Sequence, residues 1–475
     1  VPEAFEDDVE NKLPILKEKP ELAIKNNDGK PTHILIEGDN YHALTCLNYT
    51  HKGKIDVIYI DPPYNTGSDG FKYKDKRILD KFPDGTEVPK DHPYRHSYWL
   101  SFLRKRLELS LHLLSENGVI VVHIDENEIY NLGLLMNDIF GESNSLGVIV
   151  WNKMNPKGDS LGVSTMHEYV LCFAKNKDLF LLQDKVLLKK KENAQKILAK
   201  AKSLYSKIGR RVVPDSIKEV IKPFNYNAQK VKEFEVEYTL DLVNNEFQSW
   251  LSKQNFSGGE KAYKFIDEKG DVYRGVSMAW PNKEKAPDEY FKPLYHPITK
   301  KQCSMPKRGW RNPPETMEKL IEKGLILFGV DENKQPERKY LLKENLLENT
   351  SSIYNYAGSD DDLLDMLSVS FPYAKPVNAS KYFISGICPN PNVVLDFFAG
   401  SGTTGQAVLE LNKENNCDTQ FILVTNDEDK IMSDTCFPRL KSVITGTNNF
   451  DGLGGSLRYY QTAFVGKNNI LNATD

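Results

Sequence analysis

Apolar residues fall in short runs separated by helix-period stretches over the first third of the chain. Ile55-Asp56-Val57-Ile58-Tyr59-Ile60 reads as a buried strand. Residues 33–36, 118–124, 146–151 and 169–173 predict further strands, and residues 43–49, 99–114 and 131–139 predict helices. The helix over 99–114 carries Arg104, Lys105 and Arg106 as a basic face. Strands alternating with helices predict an α/β domain built on a parallel sheet. The pattern breaks off near residue 177 and returns with a strand over 392–398, a glycine-rich loop over 399–405, a helix over 406–412 and a strand over 421–425. Residues 178–370 lack that regularity and read as a separate α+β domain. Residues 1–32 are polar and proline-rich, a peripheral arm. Residues 65–95 form a polar stretch too long for an ordinary connection, as binding loops and lids are.

Composition adds bounds rather than identity. The 475 residues suffice for two or three domains, with 40% hydrophobic and 27% charged residues and a formal net charge of −4. No apolar run approaches membrane-spanning length, and nothing resembles a signal peptide. Six cysteines (Cys46, Cys172, Cys303, Cys388, Cys417, Cys436) are scattered without CxxC or Cys/His spacing. They read as small buried hydrophobes in a reducing, cytoplasmic setting, with no structural metal. Local charge departs from the average over residues 185–211. Lys185, Lys189, Lys190, Lys191, Lys196, Lys200, Lys202, Lys207, Arg210 and Arg211 there face one acid, Glu192, along a helix-like apolar stripe. This is either a solvated helix face or a phosphate-contacting surface.

Chemistry concentrates at two strand ends. Asp61-Pro62-Pro63-Tyr64 follows the strand ending at Ile60, and two prolines cannot continue a ladder. The stop leaves a carboxylate, backbone carbonyls and an aromatic ring where open α/β sheets bind ligands. Acceptors of that kind beside a ring suit a flipped-out nucleobase with an exocyclic amine. The plain alternative is a proline turn capped by Asp61. The second strand end is Gly400-Ser401-Gly402, whose glycines permit close backbone approach before a helix N-terminus. Gly400-x-Gly402-x-x-Gly405 also fits a dinucleotide fingerprint, which admits an NAD-dependent oxidoreductase. No acid stands about 20 positions on at a strand end, as that fingerprint requires.

Asp396-Phe397-Phe398-Ala399-Gly400-Ser401-Gly402-Thr403-Thr404-Gly405 resembles the S-adenosylmethionine motif of amino-group DNA methyltransferases, and Asp61-Pro62-Pro63-Tyr64 resembles their catalytic motif. Their order along the chain is that of the beta group. Glu37-Gly38-Asp39-Asn40, the Asn65-Thr66-Gly67 extension and Leu114-Ser115-Glu116-Asn117-Gly118 resemble the modification subunit of type III restriction–modification systems, as does Pro306-Lys307-Arg308-Gly309-Trp310-Arg311. The resemblance implies a Rossmann-like, circularly permuted methyltransferase sheet. The domains would be an arm (1–32), a catalytic half (33–177), a target-recognition domain (178–370) and a cofactor half (371–475). It implies methylation of adenine N6 in double-stranded DNA, with S-adenosylmethionine as cofactor and no metal. A homodimer and a restriction endonuclease subunit are the implied partners, and no membrane is involved.

Residue by residue, the resemblance makes Asp61 and the Pro62 carbonyl acceptors for the adenine amine. Pro63 completes the turn, and Tyr64 stacks on the base. Phe398, Ala399, Gly400, Ser401, Gly402 and Thr403 would hold the cofactor, with Asp396 orienting the cofactor's amino group through the loop, Asp39 reaching the cofactor adenine and Lys375 contributing from a Lys-Pro motif. The plain alternative for Lys375 is a surface lysine. Thr425 stands where the family often has a ribose-binding acid, so that contact falls to Asn426, Asp427 or Glu428, with Asp427 chosen. Lys189, Lys190, Lys191, Lys307, Arg308 and Arg311 would contact DNA. Trp310 and His123 read as core residues. A stand-alone methylase of adenine N6 or cytosine N4 and a non-catalytic DNA-binding subunit are the remaining alternatives.

Overall fold

The computed structural model describes residues 12–26, 28–66, 86, 93–155, 163–371 and 374–466, the side chains of residues 93 and 94 excepted. Most of the expected 65–95 loop and the middle of the loop between the fifth and sixth strands lie outside the described residues. The chain forms two compact units, one of residues 1–189 and 349–475, the other of residues 190–348.

The first unit is built on one mixed sheet. Its strands in chain order are β1 (Lys12–Glu18), β2 (Thr32–Glu37), β3 (Ile55–Ile60), β4 (Leu114–Ile124), β5 (Ser145–Asn152), β6 (His167–Ala174), β7 (Ile353–Asn355), β8 (Val393–Asp396), β9 (Gln420–Thr425) and β10 (Ser456–Gly466). Their order across the sheet is β1-β10-β2-β9-β8-β3-β4-β6-β5-β7 among the described residues. The central run from β10 to β4 is parallel. β1, β6 and β5 then pair antiparallel to their inner neighbours, and β7 lies parallel to β5. The longer helices of the unit are α1 (Asn40–Thr50), α2 (Pro93–Leu113), α3 (Ile129–Phe140), α4 (Val377–Ile387), α5 (Thr403–Asn415) and α6 (Phe437–Thr445).

Parallel strands of this kind are apolar on both faces because both faces are covered. Val57 and Tyr59 of β3 enter one core with Val119, Val121, Phe421 and Phe383. Ile58 and Ile60 enter the other with Ile120, Val122, Phe102 and Phe397.

Three expectations change. The arm at 1–32 is not merely peripheral, because β1 pairs along β10 from Lys12↔Gly466 to Glu18↔Tyr460. Arg106 is not part of a basic face: it is buried on α2, with its guanidinium against Asn40 and the Phe102 carbonyl. Residues 178–189 and 349–370 belong to the sheet unit rather than the second unit. β7 extends that sheet, and its Tyr354 stacks on Tyr382 of α4 at 3.9 Å between centroids.

The second unit holds an antiparallel sheet in the order Phe265–Ile266, Val272–Ser277, Glu337–Leu341, Ile326–Leu327. Helices Ala194–Tyr205 and Leu240–Ser252 pack around one core, and Trp310 is buried in a second with its indole N–H donating to the Lys292 carbonyl at 2.9 Å. The lysine-rich stripe is helical only from Ala194 on. No described helix is long and apolar enough to cross a membrane. The six cysteines are free thiols, five of them buried.

The sheet unit carries an acid sensitivity. His33 of β2 is buried, accepts the Phe421 N–H at Nδ1 (3.1 Å) and stacks on that ring at 4.0 Å. Burial pushes its pKa from the usual 6.5 to about 3. The unfolded chain therefore binds more protons than the folded one between those values, and stability is lost as pH falls through that window. The urea midpoint should fall between pH 7 and pH 5, and fall less in His33→Gln, whose amide oxygen can still accept from Phe421. Equal slopes in the two proteins would rule His33 out as the source.

Candidate active site

β3 and β8 are adjacent and parallel, with Val394↔Val57 and Leu395↔Ile58 in register. From β3 the chain proceeds through α2 to β4 on one side. From β8 it proceeds through α5 to β9 on the other. Their carboxyl ends therefore flank the point where the strand order reverses, where a crevice opens in doubly wound sheets. Asp61-Pro62-Pro63-Tyr64 leaves β3 there, and Asp396 with the glycine loop leaves β8 there.

The catalytic motif is held by several neighbours. The Trp99 indole N–H of α2 donates to the Pro63 carbonyl at 2.7 Å. Among the described residues no donor meets the Pro62 carbonyl. The Tyr64 hydroxyl donates to Asp61 Oδ1 at 2.6 Å, and burial beside the Asp61 and Glu168 carboxylates pushes the phenol pKa well up. Asn65 takes a left-handed conformation (φ +57°), which asparagine tolerates. Its amide donates to the buried carboxylate of Glu128 at 2.6 Å, which also meets His96 Nδ1 at 2.6 Å and the Asn131 amide at 2.7 Å.

Lys375 is not a surface lysine. Its ammonium lies 2.7 Å from Glu168 Oε2, 2.8 Å from Tyr64 Oη and 3.4 Å from Asp61 Oδ2. Burial works against its charge, and the two carboxylates outweigh it, so its pKa is raised. Burial would likewise raise the Glu168 carboxyl, but Lys375 and Lys153 hold it down at about 2. Lys153 pairs directly with Glu168 Oε1. His123 is a core residue: Nε2 lies 2.8 Å from Tyr59 Oη, and burial pushes its pKa down to about 4.

The glycine loop is fixed from beneath. Asp396 is buried, accepts the Phe398 N–H (2.9 Å) and the Thr404 hydroxyl (2.6 Å), and is pushed up to about 7 by burial. Ala399 N–H donates to the Val424 carbonyl and Gly402 N–H to the Ala399 carbonyl. Arg439 of α6, fully buried, donates to Ser401 Oγ (3.1 Å), Thr403 Oγ1 (2.8 Å) and Gln406 Oε1 (2.9 Å). These bonds turn the Ser401 and Thr403 hydroxyls inward. Gly400 and Gly402 both have positive φ (+49° and +78°). Among the described residues, a Cβ on Gly400 would meet only the Phe398 carbonyl, at 3.9 Å, so its outer side is open to them. At the end of β9, Asn426 Oδ1 is buried without a donor among the described residues, whereas Asp427 Oδ1 accepts the Ser433 N–H at 2.8 Å. An open glycine turn, the free N–H groups of α5 and an orphaned acceptor at the neighbouring strand end fit a ligand with a carboxylate at one end and hydroxyls at the other.

Asp39 stands at the N-terminus of α1. It caps α1 through the Tyr41 N–H (2.8 Å) and pairs with Arg106 at 3.4 Å. Its neighbour Asn40 donates to the Phe397 carbonyl at 2.9 Å and so ties the end of β2 to the glycine loop. Of the expected DNA contacts, Lys191 donates to the Asn345 and Leu347 carbonyls at 2.5 Å each, and Arg308 to the Asn282 carbonyl at 2.8 Å. The Lys189 ammonium lies 5.4 Å from the Tyr382 ring centroid. Lys190, Lys307 and Arg311 are exposed.

Sequence reasoning missed Glu168, Lys153, Glu128, Trp99, Arg106 and Arg439. For Arg106 and Arg439 a signal existed, a lone arginine within an apolar helical stripe (Phe102, Leu103, Leu107; Leu440, Val443, Ile444). Glu168 similarly shares a strand face with buried Val170 and Cys172.

Comparison with known proteins meets this geometry. The chain is 32% identical over 415 residues to the Mod subunit of the type III restriction-modification enzyme EcoP15I of Escherichia coli, covering 83% of this chain and 58% of that protein. It is 29% identical to the StyLTI Mod subunit of Salmonella typhimurium, covering 84% and 53%. It is 28% identical to the type II methyltransferase M.KpnI of Klebsiella pneumoniae, covering 84% and 82%. The chain thus spans little more than half the length of the type III relatives. None of these relatives supports the oxidoreductase alternative. The family model described as DNA methylase matches residues 55–433, from β3 through the glycine loop and beyond β9, and the chain belongs to that family.

Proposed function

We propose that the chain is a site-specific DNA adenine-N6 methyltransferase that uses S-adenosylmethionine and acts as the modification subunit of a type III system. One observation carries the reading: the amine-accepting motif after β3 and the open glycine turn after β8 lie side by side at the switch point of one sheet. The similarity to two Mod subunits supports the type III assignment and a restriction endonuclease subunit as partner. The similarity to M.KpnI, most of whose length is covered, favours a stand-alone methylase as the second reading. The homodimer and base flipping are part of the proposal.

When bound, S-adenosylmethionine supplies an electrophilic methyl group on a sulfonium. Gly400 and Gly402 let the backbone approach it, and Asp396, Arg439 and Asn40 keep the turn in shape. Asn426 replaces Asp427 as the candidate for the ribose hydroxyls, because its buried oxygen lacks a donor among the described residues. On the substrate side, Asp61 and the Pro62 carbonyl accept the two N–H groups of a flipped adenine. Two acceptors on one amine draw its lone pair out of conjugation with the ring and orient it. Tyr64 stacks on the base and donates to Asp61 Oδ1, and the substrate amine takes Oδ2, which the Lys375 ammonium approaches to 3.4 Å. Positioning of the two reactants supplies most of the rate. Lys190, Lys307 and Arg311 supply phosphate contacts, which set register rather than sequence.

Tritium from labelled S-adenosylmethionine should appear in unmodified bacterial DNA as N6-methyladenine. Asp61→Ala should lower the transfer rate about 10³-fold. Absence of transfer to any DNA sinks the reading, and N4-methylcytosine as product overturns the base assignment. A second prediction separates the ligand face of the loop from its packed face. Gly405→Ala places a methyl 2.7 Å from Leu440 Cδ2 and 2.9 Å from Leu423 Cδ1 and should destabilise by about 1–3 kcal/mol. Gly400→Ala should cost about 1 kcal/mol in stability from its positive φ, yet weaken S-adenosylmethionine binding at least about tenfold by calorimetry. Unchanged binding in Gly400→Ala would move the cofactor elsewhere.

A further inference from the structure

Among the described residues, the partly buried charges beside the amine-accepting motif form a set of four: two carboxylates, Asp61 and Glu168, and two ammonium groups, Lys153 and Lys375. Glu168 stands near the start of β6 on the face that buries Val170 and Cys172, so the strand fixes it. It takes Lys153 on Oε1 and Lys375 on Oε2, where the Tyr64 hydroxyl also lies at 3.3 Å, and both cations lie near the Trp151 ring, at 5.0 and 5.7 Å from its centroid. Lys375 stands among three acceptors. It is 2.7 Å from Glu168, 2.8 Å from the Tyr64 hydroxyl and 3.4 Å from Asp61, so its nearest partner is not the carboxylate that the substrate needs.

That order of distances matters because a charged donor outcompetes a neutral one. A lysine ammonium seated fully on Asp61 would hold the carboxylate more strongly than the amine of a neutral base can. We propose that Glu168 is a positioning residue that holds the Lys375 ammonium closer to itself (2.7 Å) than to Asp61 (3.4 Å), so that the amino group of the target base can displace the longer contact on the Asp61 carboxylate. Lys153 completes the arrangement by anchoring Glu168 from the other side. Removing Glu168 leaves two cations facing Asp61 as the remaining carboxylate of the set, and Lys375 moves onto it. Glu168 touches neither reactant and acts through Lys375. The inference rests on the methyltransferase reading above.

The experiment measures single-turnover transfer of tritium from S-adenosylmethionine to unmodified genomic DNA, together with KM for the methyl donor. Transfer by the parent protein comes first: its absence fails the methyltransferase reading itself, and variants are judged only against an active parent. Glu168→Gln should slow transfer roughly a hundredfold with KM changed less than about threefold. Glu168→Asp, which keeps the charge, should recover most of the rate. In a Lys375→Met background the same Glu168→Gln change should cost less than about threefold, because no ammonium remains to occupy Asp61. Equal losses in the two backgrounds, or a loss confined to KM, overturn the proposal in favour of a packing role. A Lys375→Met protein without transfer overturns it as well, since Lys375 would then act directly. Should Glu168→Gln alone not fold, the comparison within the Lys375→Met background decides: a loss above about tenfold refutes the seating role.

Discussion

The parallel pairing of β3 with β8 is the constraint on which the rest of the first unit depends. Neither strand carries a complete site. One ends in acceptors for an amine, the other in a backbone turn shaped for a ligand, and only their adjacency makes a reaction possible. The pairing is secured on both faces of the sheet, since Val57 and Val394 enter one core while Ile58 and Leu395 enter the other. At the opposite end of the same strand pair, Asp56 Oδ2 accepts the N–H groups of Asn392 and Val393, so side-chain bonds at one end set the relation of the strands to each other at the other.

Around that pairing, several buried or half-buried charges among the described residues meet partners. Arg106 meets Asn40 and Asp39, Arg439 meets the hydroxyls of the glycine loop, and Lys375 and Lys153 meet Glu168. A buried ion that loses its partner costs several kcal/mol. The two crevice walls are therefore held by interactions that fail together rather than by loose surface pairs. Asn40 links the walls directly, because it takes the Arg106 guanidinium on its oxygen and gives its N–H to the Phe397 carbonyl.

The central strands and the two motifs were legible from sequence because burial on both faces writes continuous apolar runs, and because proline and glycine punctuate strand ends. The edge strands were not. β1 is half-exposed and reads as a polar arm, and β7 is three residues long within a serine- and asparagine-rich stretch. Within the site, Asp61, Tyr64 and the glycines announced themselves by motif, whereas their supports are single charged residues on otherwise apolar elements. Asp39 has a role that the motif did not suggest, as the cap of α1. The partners of Lys375 were not legible, because Asp61, Tyr64 and Glu168 lie hundreds of residues away in sequence and nothing local reveals a tertiary ion pair.

The bond from Asp56 to Asn392 closes a separation of 336 residues. During synthesis at about 5–20 residues per second, β3 waits many seconds for its neighbour β8 to emerge. Through that interval the apolar edge of β3 has β4 on one side and nothing of its own on the other. Such an unpaired edge invites association with other chains. The second unit, with cores of its own, is complete before β8 is made. The fold thus separates the birth of the two half-sites in time, and the nascent chain gains its chemistry only once β8 has emerged.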